Sequence, residues 1–381
     1  MKQVTVYYGP KDAFRTLLPA EVRQTTLIEL AIKSDAKMRE HSFKIQARCD
    51  NTPAEKKEKI DCLVAYSDEY AAISENAIQS FIGFVSQFEL DRVFLQNPPL
   101  YIVEQFLKLK QPFKVKKYEY RAISPEVLRT IDQKYSDVIL GQPAVKNQLL
   151  TALFPLTRGW RQQKPVVLLF YGPSGVGKTE TAKLLGEILG ERLFRKQLSM
   201  FHSDDFSAYL FGGRHSQNCL AKELLERESN IILFDEFDKP DPVFHSAFYQ
   251  LFDEGVFEDK NYSVEVYNAI IICTSNYQSA QDARARLGDP IFSRFDAVIG
   301  YEALSRETVA RLTRSELSSQ LGELDREERA AIEEERLFGE IDRQLRDSPN
   351  AREVRRAVRD AISRVLLERL LHPGGQPPAE R

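Results

Sequence analysis

The stretch GPSGVGKTE sets Gly172, Gly177, Lys178 and Thr179 at the spacing G-x-x-x-x-G-K-T. Glycines at those positions let backbone N–H groups turn inward around phosphate oxygens. A helix starting there adds the positive end of its dipole. Lys178 then reaches the terminal phosphates of a nucleotide, and the Thr179 hydroxyl is placed to ligate Mg²⁺. The candidate nucleotide contacts are Gly172, Pro173, Ser174, Gly175, Val176, Gly177, Lys178, Thr179 and Glu180.

A bound nucleotide needs a metal-side acid and a group that directs water, and IILFDEFDK supplies both. Asp235 closes an apolar run, so its carboxylate is expected at the metal, at a sheet's C-terminal edge. Glu236 follows and is expected to polarise the attacking water. In AIIICTSN a second apolar run delivers Asn276 to the same edge, where an amide could hold water against the γ-phosphate.

These groups need a sheet beneath them. VVLLF (166–170), IILF (231–234) and AIIICTS (269–275) read as buried strands. Ser124-Pro125 reads as a helix start, an N-cap followed by proline at the first helical position. From there to about Gly300 strands and helices alternate, the pattern of a parallel sheet covered on both faces. From Ser305 to Leu371 the chain reads as helical and highly charged, and the last ten residues as a frayed tail. The first 118 residues carry their own apolar pattern and are expected to form a small α/β unit. Its strands are VTVYY, IDCLVAY and DRVFL; Ile73, Ala77, Phe81, Phe84, Val85 and Phe88 fall at helical spacing; LYIVEQFLKL resumes a helix. Thr52–Lys59 reads as a solvated loop or helix face. The expected division is 1–118 for an accessory unit, 119–300 for the nucleotide-binding sheet and 301–381 for a helical lid and tail.

The 381 residues carry a net charge of −3, which argues against a chain built to coat nucleic acid. The lysine-rich Lys108–Arg121 is the best basic patch, and it reads as an outer strand and linker with its lysines in water. The four cysteines are scattered and the five histidines show no ligand spacing, so structural zinc is not expected and a reducing compartment fits. With no signal-peptide core and no membrane-spanning run, the expectation is a cytoplasmic protein.

GPSGVGKTETAKLLGEIL, IILFDEFDK, IIICTSN and DPIFSRFDAVI, in that order, resemble the AAA+ module of the Clp family. The pattern is most similar to the second ATPase module of Clp-type disaggregases, with torsins as relatives of that branch. ILGQPAVKNQL resembles the family's adenine-side segment, and the resemblance covers about residues 122–371. It implies a P-loop AAA+ parallel sheet with a helical lid, an ATP hydrolase using Mg²⁺, and a ring, commonly of six subunits. It implies that Ile139 and Leu140 pack on the adenine and that Asn276 senses the γ-phosphate. Arg294 matches the arginine that reaches a neighbouring subunit's nucleotide, and Arg352 the lid arginine that bends over the phosphates. Ser293 stands where relatives often have asparagine. Asn350 stands where they usually have glycine, and it is expected to supply the same left-handed backbone.

The loop after the nucleotide motif departs from threading members of the family, which carry an aromatic flanked by glycines there. Here FGGRHSQNCLAKEL passes almost directly into the next helix. Tyr209 and Phe211 suit a helix packed on the core, and Arg214 and His215 read as a solvated loop tip. The expected function is ATP-driven remodelling of a protein partner recognised through residues 1–118, without aromatic-paddle threading. Two alternatives stand beside it: a nucleic-acid handler or assembly switch, and a threading unfoldase with an unusual loop. The Gly9-Pro10 and Asn97–Tyr101 stretches fall at strand ends, where partner contacts would be sought.

Overall fold

The computed structural model describes residues 1–46, 57–108, 112–161, 164–200, 203–345 and 349–372. Cys49, most of the Thr52–Lys59 stretch, residues 109–111 of the lysine-rich patch and the tail after residue 372 lie outside these segments.

Two parallel sheets follow one another along the chain. The first contains β1 (Gln3–Tyr8), β2 (Gln24–Thr26), β3 (Lys59–Ala65), β4 (Glu89–Gln96) and β5 (Lys114–Lys117), in the order β2-β3-β4-β1-β5. The expected strands are present, and β2 and the long helix Leu27–Gln46 join them unannounced. The helical spacing between Ile73 and Phe88 resolves into two short helices, Glu75–Gln79 and Phe81–Val85, because Ser80 interrupts them outside helical backbone geometry. Strand β5 is an edge strand with its side chains exposed, as the lysine run implied.

The second sheet contains β6 (Val166–Tyr171), β7 (Phe194–Gln197), β8 (Ile231–Asp235), β11 (Ile270–Thr274) and β12 (Ala297–Gly300), in the order β12-β6-β11-β8-β7. A hairpin of β9 (Val256–Glu258) and β10 (Ser263–Glu265) stands apart from it. The alternation of side chains along a strand explains why the inner strands are apolar throughout. Val166, Leu168 and Phe170 face one core, shared with the C-terminal helices through Val309, Leu317, Val354 and Val358. Val167 and Leu169 face the other, with Phe234, Phe237, Phe248 and Phe252. Each buried side chain of this size contributes on the order of 1.5–3 kcal/mol relative to exposure.

After Leu304 come the helices Arg306–Gly322, Arg326–Ala330, Glu334–Gln344 and Ala351–Leu371, as expected. Asn350 is not left-handed. Its φ of −83° and ψ of 166° are extended, and its side-chain oxygen caps the last helix by accepting from Arg352 N and Glu353 N at 2.9 and 3.1 Å. Asparagine is here because it is a good N-cap, with Glu353 completing the capping box.

The first unit docks on the second. Leu100 N donates to Asn261 O at 2.8 Å and Lys117 pairs with Glu265 at 2.5 Å. Gly9 and Asn97 are not free loop residues. Gly9 N donates to Asn97 Oδ1 at 2.9 Å and Asn97 Nδ2 returns to Gly9 O at 3.0 Å, so the two strand ends hold each other. Among the described residues no helix is long and apolar enough to cross a membrane.

Candidate functional site

The C-terminal ends of β6, β8 and β11 converge on a cavity of about 270 Å³. Open parallel sheets bind ligands at this edge. The loop after β6 leads into the helix Lys178–Leu189, whose first residue is the motif lysine. Two glycines are fixed by geometry. Gly172 has φ 129°, and a Cβ there would stand 2.2 Å from Tyr301 O; Gly175 has φ 72°, and its Cβ would meet Asn350 Oδ1 at 2.9 Å. Gly175 O also accepts from Ala351 N at 3.0 Å, so the start of the last helix is pinned to the loop.

Lys178 Nζ donates to Gly172 O, Pro173 O and Asn276 Oδ1 at 2.5, 2.7 and 3.3 Å. Burial lowers its pKa from the ordinary 10.5 to about 8. The Asp238 and Asp235 carboxylates oppose that shift and the Arg352 guanidinium adds to it. Thr179 Oγ1 lies 3.4 and 3.5 Å from the two oxygens of Asp235. Glu236, one residue further, has φ 59°, an uncommon conformation for a non-glycine residue. Its N–H donates to Thr274 Oγ1 at 3.0 Å, and the Thr274 hydroxyl in turn donates to Asp235 Oδ1. Phe237 N donates to Thr274 O at 2.8 Å, which ties the turn to β11 from the other side.

Ile139, Leu140, Leu304 and Leu312 line the apolar end of the cavity. Lys178, Thr179, Asp235, Glu236, Asn276 and Arg352 line the polar end with Arg195 and Gln197. The Arg352 guanidinium reaches Ser174 Oγ at 3.4 Å. Thus the structure brings together the expected loop, the two acids, Asn276, the adenine-side pair and the lid arginine. It does not bring Arg294. Arg294 pairs with Asp253 at 2.8 Å and lies 4.2 Å over the Tyr249 ring, away from this cavity.

Sequence reasoning missed Thr274, Arg195 and Gln197. Arg195 Nη2 and Nε donate to Asp235 Oδ2 at 2.5 and 3.1 Å, and Gln197 Nε2 donates to Glu236 Oε2 at 3.2 Å. Their strand, FRKQ, is short and polar, so no apolar run marks it; the only signal was the two-residue spacing that puts both side chains on one face.

Within the loop tip expected to be solvated, His215 is buried instead. His215 is 6% exposed, and its Nε2 lies 3.0 Å from Ile73 O of the first unit. Asn261 Nδ2 holds the same loop through Gly213 O at 3.1 Å. Arg214, Ser216, Gln217 and Asn218 are exposed, as expected of a loop tip. Tyr209 packs in the core and donates to Glu223 at 2.6 Å, whereas Phe211 is exposed. Residues two apart on a helix point to opposite sides, so only one of this pair could be inside.

With this geometry the likeness to known proteins has a physical basis. The sequence profile of the AAA domain (Cdc48 subfamily) matches residues 163–322. Residues 163–322 thus resemble the AAA+ ATPase modules of Clp-type chaperones. The ClpA homolog protein of Fuscovulum blasticum is 28% identical over 277 residues, covering 65% of this chain and 35% of its own length. The chaperone protein ClpB of Chlamydia muridarum is 32% identical over 171 residues, 41% of this chain and 19% of its own. The human mitochondrial disaggregase is 32% identical over 169 residues, 41% of this chain and 24% of its own. The chain therefore spans 35% or less of these relatives' lengths. A closed-state reconstruction of Hsp104 with ATPyS and FITC casein superposes with a TM-score of 0.57 at 13% identity, covering 97% of this chain and 88% of that one, a likeness of fold.

Proposed function

We propose that the chain binds ATP with Mg²⁺, hydrolyses it, and uses the cycle to remodel a protein partner recruited through residues 1–118. The observation that carries this reading is the convergence of Lys178, Thr179, Asp235, Glu236 and Asn276 on one cavity that Ile139 and Leu140 also line. The residues fit Mg·ATP: an apolar slot for a base, loop N–H groups and a lysine for phosphates, and a hydroxyl and carboxylate for the metal. Thr179 and Asp235 would hold Mg²⁺, which would supply charge neutralisation at the phosphates. Lys178 exchanges carbonyl partners for phosphate oxygens. Glu236 orients and deprotonates water, with Thr274 and Gln197 fixing its backbone and its carboxylate. Asn276 steadies that water on the phosphate side, and Arg352 closes over it from the lid.

Arg294 is a quarter exposed, and to serve a neighbour's nucleotide it would exchange Asp253 for the phosphate. A guanidinium supplied in trans contributes on the order of 10³–10⁵ in rate and makes hydrolysis conditional on assembly. This supports a ring, with six subunits as the expected number, built like the second module of Clp-type disaggregases and their torsin relatives. The burial of His215 against Ile73 supports remodelling without threading, because the loop grips the chain's own first unit. Pull-down with Glu236→Gln tests the whole reading. That protein should bind ATP, turn it over slowly and retain the partner, whereas Lys178→Ala should bind neither. Nucleotide affinity unchanged in Lys178→Ala would overturn the site assignment.

A further inference from the structure

We propose that Arg195 is an electrostatic gate on the metal position, holding Asp235 until a polyphosphate supplies the charge that admits a divalent cation. The proposal rests on the nucleotide-site reading above. Both Nε and Nη2 of Arg195 donate to Asp235 Oδ2, at 3.1 and 2.5 Å. The other oxygen accepts from Thr274. Thr179 Oγ1, the second candidate ligand, stands 3.4 Å from the same carboxylate. The guanidinium therefore occupies the face of Asp235 that a cation bound between Asp235 and Thr179 would need.

Exposure is unequal within the pair. The Asp235 side chain is 9% exposed, while that of Arg195 is 42% exposed at the cavity mouth. The exposed arginine side chain has open solvent beside it, whereas the buried aspartate is tied to Thr274. Among the described residues no group of three or more His, Cys, Asp or Glu could hold a metal, so a bare cation at Asp235 and Thr179 lacks a three-ligand cluster of those types. A divalent ion placed within a few ångströms of a guanidinium still paired with Asp235 is opposed by a repulsion on the order of ten- to a hundredfold in affinity. The phosphates of a nucleotide reverse the sign of the field at that spot, and Mg²⁺ is ordinarily held by one or two carboxylates together with substrate phosphates. Arg195 thus makes cation entry depend on nucleotide entry, and by linkage each must strengthen the other equally. A surface ion pair serving stability alone makes no such demand.

The test is a titration with Mn²⁺, followed by electron paramagnetic resonance, on the full chain. Wild-type protein should bind Mn·ADP but hold Mn²⁺ alone weakly. Arg195→Ala should tighten Mn²⁺ binding to the nucleotide-free chain about tenfold or more. Arg195→Lys, which keeps the charge, should stay near wild type. Asp235→Asn added to Arg195→Ala should erase the gain, and circular dichroism should show the native fold in each variant. Failure of the wild type to bind Mn·ADP would overturn the nucleotide-site reading. Intact Mn·ADP binding with no gain in Arg195→Ala would overturn the gate.

Discussion

Raising the pH from 7 to 9 should weaken ATP binding about tenfold through Lys178 alone. In the nucleotide-free chain burial holds this ammonium near a pKa of about 8, against an ordinary 10.5. A polyphosphate in the loop stabilises the charged form and returns the pKa toward or above its ordinary value. Between pH 8 and 10.5 the free chain has lost the proton and the complex keeps it. Binding then takes up a proton, and affinity falls by roughly a factor of ten, about 1.4 kcal/mol, for each pH unit. At pH 8 the uptake should be about half a proton per site. The nucleotide's own phosphates, with a second pKa of about 6, are already ionised in this window and contribute no slope. Calorimetry at pH 8 in two buffers of different ionisation enthalpy reads the uptake directly. The same group acts oppositely on folding: the unfolded chain binds the proton more tightly between pH 8 and 10.5, so this group's contribution makes the nucleotide-free fold more stable as pH rises through that window. An ATP affinity flat from pH 7.5 to 9.5, with binding enthalpies identical in both buffers, would refute the argument.

Arg294→Ala should leave ATP binding nearly intact yet lower turnover steeply; mixing it with Glu236→Gln should restore part of the activity, since some mixed interfaces pair an intact acid with an intact arginine. Normal turnover by Arg294→Ala alone would exclude a trans role. Replacing residues 214–218 by Gly/Ser should loosen the first unit, seen as faster proteolysis near residues 118–124, with ATP hydrolysis retained. If wild type unfolds a tagged substrate and the loop variant only loses that ability, the loop grips substrate and the non-threading reading is wrong. Phe237 stacks on His245 and meets Phe248, Phe252 and Phe295 beneath the acidic turn, so Phe237→Ala should cost about 3–5 kcal/mol in urea unfolding. A loss below about 1 kcal/mol would mean the cavity collapses freely.

The sequence by itself determined the glycine-rich loop of the candidate nucleotide site and the sheet under it. The motif from Gly172 to Glu180 is legible locally, since positive-φ glycines lead directly into the helix Lys178–Leu189, although Tyr301 and Asn350 also crowd Gly172 and Gly175. Strands β6, β8 and β11 are buried on both faces, which leaves unbroken apolar runs legible without any partner. Only the tertiary structure decided what surrounds the acids. Arg195 and Thr274 stand 40 and 39 residues from Asp235, and FRKQ looks like loop until pairing with β8 makes it a strand. It also decided the fate of His215, which lies 142 residues from the carbonyl it meets. An exposed polar tip and a buried polar contact have the same composition, and the difference is whether another surface arrives to remove the water. That arrival depends on how the first sheet closes around Gly9 and Asn97 and seats Leu100 on Asn261, contacts between segments that carry no mark of each other.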